Sequence, residues 1–198
     1  SKISNNHYRS STFFPKITKI IQNLKDSITR TLSHYELYEI FSQNKTLLLF
    51  FIEEKMIVID KQIANQMMRT QLFKIKEFFK PELKPFLDSE TDETELEEND
   101  DEKVDETFFK RRKNGNNHHY ISEIIRKDLI EDFIIYVNKN DYPLNSKIAP
   151  SIFETNLFLH YNTVSLIEYA SFFGSIQIFR YLYKNQTSLT PSIWLYGI

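Results

Sequence analysis

The chain contains no cysteine and only three glycines, six prolines and one tryptophan in 198 residues. Without cysteine there is no disulfide framework, no thiolate nucleophile and no cysteine-based zinc site. Three glycines cannot build a glycine-rich phosphate cradle, and the sequence holds no P-loop, G-x-G-x-x-G or G-x-S-x-G pattern. The longest apolar run, Leu47 to Ile52, is far short of the ~20 residues a membrane span needs. The opening residues SKISNNHYRS are polar where a secretory signal requires an apolar core. Few turn formers also argue against a β-sandwich and for helices joined by short loops.

What is present supports a packed core: 41% of residues are hydrophobic and 15% aromatic. The net charge of −2 conceals a strong asymmetry. Residues 88–106 hold 12 acids and one lysine, whereas the flanking regions are mildly basic. This tract reads as a charged insertion or linker, flanked by proline on one side and an Asn-Gly turn on the other. The sequence therefore divides into a loose terminus over 1–15, a helical region over 16–87, the insertion over 88–119, and a second helical region over 120–198.

Helical periodicity carries the fold assignment. Ile17, Ile20, Ile21, Leu24, Ile28 and Leu32 recur on one face of an N-terminal helix. Ser33 with Glu36 has the spacing of a capping box, and Asn44 and Asp60 are positioned to cap further helices. The helix from Asp60 is expected to run to about Phe79 and stop before Pro81. In the second region Ile121, Ile124, Ile125, Leu129, Phe133 and Val137 lie at helical spacing, with Ser122 as candidate cap. The segment from Pro150 to Asn162 is a candidate short helix.

Within SLIEYASFFGSIQIFRYLYKN, two apolar helical stretches meet at Gly174. Ser165 to Ala170 occupy the places of an ankyrin T-P-L-H-x-A stretch, Gly174 that of the glycine between the two helices, and Ile178, Phe179, Tyr181 and Leu182 the apolar places of the second helix. Two echoes point to repetition. DLIEDFIIYV matches GSIQIFRYLY with Ile130/Ile176 and Phe133/Phe179 in register, and SIWLYG matches SLIEYA. Together with IRKDLIEDFIIYVNKN, PLNSKIAPSIFETNLFL and LTPSIWLYGI, these stretches resemble the N-terminal part of the large ankyrin-repeat protein family of trichomonad protists. That part includes an ankyrin-associated domain of unknown function. The resemblance covers residues 120–198 and, more loosely, 16–87. It implies an all-α fold in which irregular helix pairs lead into a degenerate ankyrin-like helical solenoid, with further repeats after Ile198. The implied repeat positions are Ile130, Phe133, Ile167, Ala170, Gly174, Ile178, Phe179, Leu182 and Trp194.

Function is then expected to be non-catalytic: a protein–protein interaction module with a protein partner. Phe172 and Phe173, just before the glycine, are the candidate partner-binding residues, because aromatic side chains dominate interface energetics. No catalytic, cofactor-binding or metal-binding residue is assigned, and no cofactor is expected. His118, His119 and Glu123 lack the further ligands a metal site requires. A nucleic-acid-associated module is the alternative, using Lys110 to Lys113 and the basic residues Lys61, Arg69, Lys74 and Lys76 of the 60–79 helix. That alternative ranks below the first. The expected location is cytoplasmic, with the nucleus as second choice.

Overall fold

The computed structural model describes residues 13–70, 74–87, 103–156 and 164–191, together with residues 159 and 193. Among them all regular structure is helical, and the single β-bridge, antiparallel between Lys147 and Ser165, belongs to no strand. The chain divides into two units: Ser1–Asn116 with Thr155–Leu157, and Asn117–Glu154 with Phe158–Ile198.

The first unit opens with α1 (Phe13–Asn23) and α2 (Lys25–Thr31), separated by a bend at Leu24. That bend breaks the expected continuous face. Ile17, Ile21, Ile28 and Leu32 pack on the core, whereas Ile20 and Leu24 are exposed. Lys25 and Gln22 reach the C-terminal end of α4 (Lys45–Glu53), where Lys25 Nζ donates to the Glu54 carbonyl at 2.5 Å. A cation at that end meets unpaired carbonyls and the negative pole of the helix.

Between them, α3 (His34–Phe41) starts on a complete capping box, Ser33 with Glu36, and α4 starts on Asn44, whose side chain accepts from the Leu47 N–H. The apolar run falls on α4, which buries Leu47, Leu48, Leu49 and Phe51 and forms the centre of this core.

Asp60 caps α5 (Lys61–Arg69), whose Ile63, Ala64 and Met67 are buried. The long helix expected over 60–79 is not formed. Helix α5 ends at Thr70 in extended backbone, and α6 (Ile75–Phe78) starts anew after Lys74 in the left-handed region. A helix does end just before Pro81, since α6 stops at Phe78. Pro81 itself sits in the first turn of α7 (Lys80–Leu83), where its missing N–H costs nothing. Helix α8 (Glu106–Asn114) is capped by Asp105 and ended by Gly115 at φ +64°, and it buries Phe108 and Arg112. The acidic residues 88–102 lie outside the described residues.

The second unit contains two helix hairpins. One pairs α9 (Tyr120–Arg126) with α10 (Ile130–Lys139), and the other pairs α11 (Leu166–Phe173) with α12 (Ile176–Lys184). The helices pack within each hairpin, and the hairpins pack on each other through α9–α11 and α10–α12. Their inter-helix turns share the same closing bonds. Asp128 and Gly174 both hold positive φ, at 53° and 70°. The N–H after each reaches back five residues, Leu129 to Ile124 at 3.1 Å and Ser175 to Ala170 at 2.9 Å. This is the helix-ending pattern that favours glycine, and Gly174 supplies it without Cβ strain.

Two expectations are corrected in this unit. Ser122 does not cap α9. His119 occupies the cap position, and Ser122 is buried inside the helix. The register of the echo also shifts part-way along. At the turn the repeat offset is 46, but α12 is one residue shorter than α10, and beyond it the offset is 45. The buried pairs are therefore Phe133 with Val137 and Ile178 with Leu182, so Phe133 corresponds to Ile178, while Phe179 is only half-buried. The same endings follow both helices: Asn140 and Asn185 side chains donate to Tyr136 and Tyr181 carbonyls at 2.8 Å, and Asp141 and Gln186 hold positive φ. Residues 151–156 are buried without being helical.

Turn-to-turn bonds tie the hairpins together. Helix α12 has no side-chain cap of its own, because Ser175 donates instead to the Ile125 carbonyl. Its cap comes from the preceding hairpin. The Asp128 carboxylate accepts from the Gln177 N–H at 3.1 Å and the Ile178 N–H at 3.0 Å.

Candidate interaction surface

The second unit offers two polar and aromatic groupings, one buried and one open. The buried one joins α9 to α11. Arg126 Nη1 donates to the Tyr169 hydroxyl at 2.8 Å, and its guanidinium lies 6.0 Å from the Phe173 ring centre. Tyr169 stacks tilted on Phe173 at 4.8 Å, and Phe173 meets Phe172 edge-on at 5.0 Å. Burial, reinforced by the negative charge of Glu154, pushes the Tyr169 hydroxyl far above its ordinary value, and Arg126 only partly opposes this. Tyr169 therefore stays protonated and serves as a structural hydrogen-bonding group. Glu154 is itself buried and accepts from the Asn117 N–H at 3.2 Å.

Of the two residues expected to contact a partner, Phe172 is therefore not a surface anchor. It is 6% exposed and belongs to the core. Phe173 is half-buried and engaged by Arg126 and Tyr169. Ile167, Ala170, Ile178 and Leu182 are core residues, Ile130 and Phe179 are half-buried, and Trp194 lies outside the described residues.

The open grouping lies on α9 and α10, on the side of α10 away from Phe133 and Val137. Tyr120, Asp132, Ile135, Tyr136, Lys139 and Asn140 line a pocket of about 330 Å³. Ile135 is 62% exposed and Tyr120 57%. The Tyr120 and Tyr136 rings are 5.5 Å apart, and Tyr142 extends the row at 5.9 Å from Tyr136. Partial burial, with Tyr136 beside it, holds the Tyr142 hydroxyl above its ordinary value. Periodicity did not reveal this site: the helical face read in the sequence runs through Phe133 and Val137, and Ile135 and Tyr136 lie off it.

Of the basic residues singled out in the sequence, one is taken up by the core. Arg112 is buried, holds Glu82 through two bonds of 2.7 and 2.9 Å, and lies against the Phe78, Phe108 and Phe109 rings. Lys61 and Arg69 sit on one helix, and Lys74 and Lys76 follow a chain break in helicity. His118 pairs with Ser151 at 2.9 Å and packs edge-on against Phe153. Among the described residues no three His, Asp or Glu side chains gather as a metal site, and no helix is long and apolar enough to cross a membrane. No protein-family model, curated protein or solved structure matches this chain.

Proposed function

We propose that this chain is a non-catalytic protein–protein interaction module. In this reading its second unit is a pair of degenerate ankyrin-like repeats, and its partner is a protein engaged through the open face of α9 and α10. The observation that carries it is the pocket itself. Tyr136 and an exposed isoleucine lie on a helix whose core face is already occupied, with exposed Tyr120 of α9 beside them, so folding does not account for them. Tyrosine-rich, partly apolar surfaces are what protein interfaces select. The repeat reading is supported by the two matching turns, the shared helix endings and the bonds between Asp128, Ser175 and the neighbouring hairpin. Stacked hairpins of this kind present extended surfaces built from nearest-neighbour packing.

The test is affinity capture from lysate of the producing cells, with and without nuclease, using wild type and Ile135→Asp. The variant is first shown to melt like wild type. A protein that survives nuclease and is lost with Ile135→Asp supports the proposal. Material that disappears with nuclease, in both proteins, transfers it to the nucleic-acid class.

A further inference from the structure

The pocket carries a charge arrangement as well as an apolar floor. Asp132 and Lys139 stand at its two ends, seven residues apart on α10. At 1.5 Å per residue this separates them by about 10 Å along the helix. Both are exposed, and neither forms an ion pair among the described residues. Between them lie Ile135 and Tyr136, with Tyr120 as the facing wall.

A peptide in the extended polyproline II conformation advances about 3.1 Å per residue with three residues per turn, so charges about 10 Å apart on one of its faces fall three positions apart. We propose that this pocket binds a short extended peptide segment with one basic and one acidic residue three positions apart and an apolar or aromatic residue between them. The basic side chain pairs with Asp132, the acidic one with Lys139, and the middle side chain enters the space over Ile135 between Tyr120 and Tyr136. Tyr120, Tyr136 and Asn140 line the same pocket and carry polar groups able to bond a peptide backbone. The two opposite charges set register and direction, while the apolar anchor supplies most of the affinity. This specificity rests on the interaction-module reading above.

The test is selection from a random peptide display library against the full chain, followed by affinity measurement of the enriched peptides. Expected is a shared pattern of opposite charges three positions apart around an apolar residue. Ile135→Asp and, separately, Tyr120→Ala should weaken such peptides about thirtyfold, the loss that accompanies removal of an interface anchor. Selection on the double variant Asp132→Lys, Lys139→Asp should return the charges in reversed order. Peptides without the pattern, peptides indifferent to Ile135→Asp, or no enrichment at all would overturn the peptide site. The interaction-module reading would then still be decided by the nuclease-treated capture, which does not depend on a linear peptide.

Discussion

The two units bury charge in different ways. In the first, one guanidinium is enclosed: Arg112 sits among three phenylalanine rings and grips Glu82 across 30 residues of sequence. In the second, polar groups are spread along the seams between hairpins. Asp128 caps the next hairpin's helix, Ser175 reaches back to Ile125, and Arg126 meets Tyr169. A single enclosed ion pair fixes one irregular arrangement, because its loss strands a charge. Seams made from backbone caps can be repeated at each turn, and they leave the outer face of a helix such as α10 free to vary.

Substitutions can break this contrast. The largest effect is expected from Arg112→Ala, which leaves Glu82 unpaired beside the apolar core and should cost about 3–5 kcal/mol in urea unfolding. Arg112→Lys should recover only part of this, since an ammonium cannot form the paired bonds. Phe172→Ala should cost a similar ~3–5 kcal/mol by opening a cavity in the second unit. Asp128→Ala removes the shared cap and should cost about 1 kcal/mol, whereas Asp128→Asn keeps one of the two acceptor oxygens and the tolerance of positive φ and should be milder. Gly174→Ala meets no neighbouring atom within 4 Å, so its cost is backbone strain alone, about 1 kcal/mol. Gly115→Ala should cost more, because its new Cβ would stand 2.9 Å from Thr155 Oγ1.

The smallest effect is electrostatic. Hydrogen bonds from the Ser33 backbone and hydroxyl hold the Glu36 carboxyl below its ordinary value of 4.5. A lowered carboxyl adds stability above its unfolded value, and that contribution is lost as the pH falls through the folded one. Glu36→Gln should therefore flatten the acid limb of the stability profile slightly and leave neutral behaviour nearly unchanged. Circular dichroism melts from pH 3 to pH 7, on the order of half a unit apart, would resolve it.

Local chemistry was legible in the sequence where one residue decides the outcome. Ser33 with Glu36, Asn44, Asp60 and Gly174 all act at the helix ends their side chains favour. Tertiary context decided the rest. The chain leaves the helix at Thr70, where periodicity carried it through, and His119 holds the cap position while Ser122 faces the core. Phe133 pairs with Ile178 because one residue fewer in α12 rotates the buried stripe by one position. The candidate site was legible only in class. Aromatic residues near the second unit's turns were expected to bind, but Phe172 is core, and the exposed aromatics are Tyr120 and its neighbours. Burial of an aromatic side chain depends on what packs above it, which spacing along one helix does not encode.

The most direct test places a photo-crosslinking benzoylphenylalanine at position 135 in the producing cells, with the same residue at exposed Lys61 as control. The account predicts a discrete protein adduct at 135 that Tyr120→Ala diminishes, and none at 61. Equal labelling at both positions, or no adduct at 135 in a folded protein, would contradict the claim that the α9–α10 pocket is the working surface.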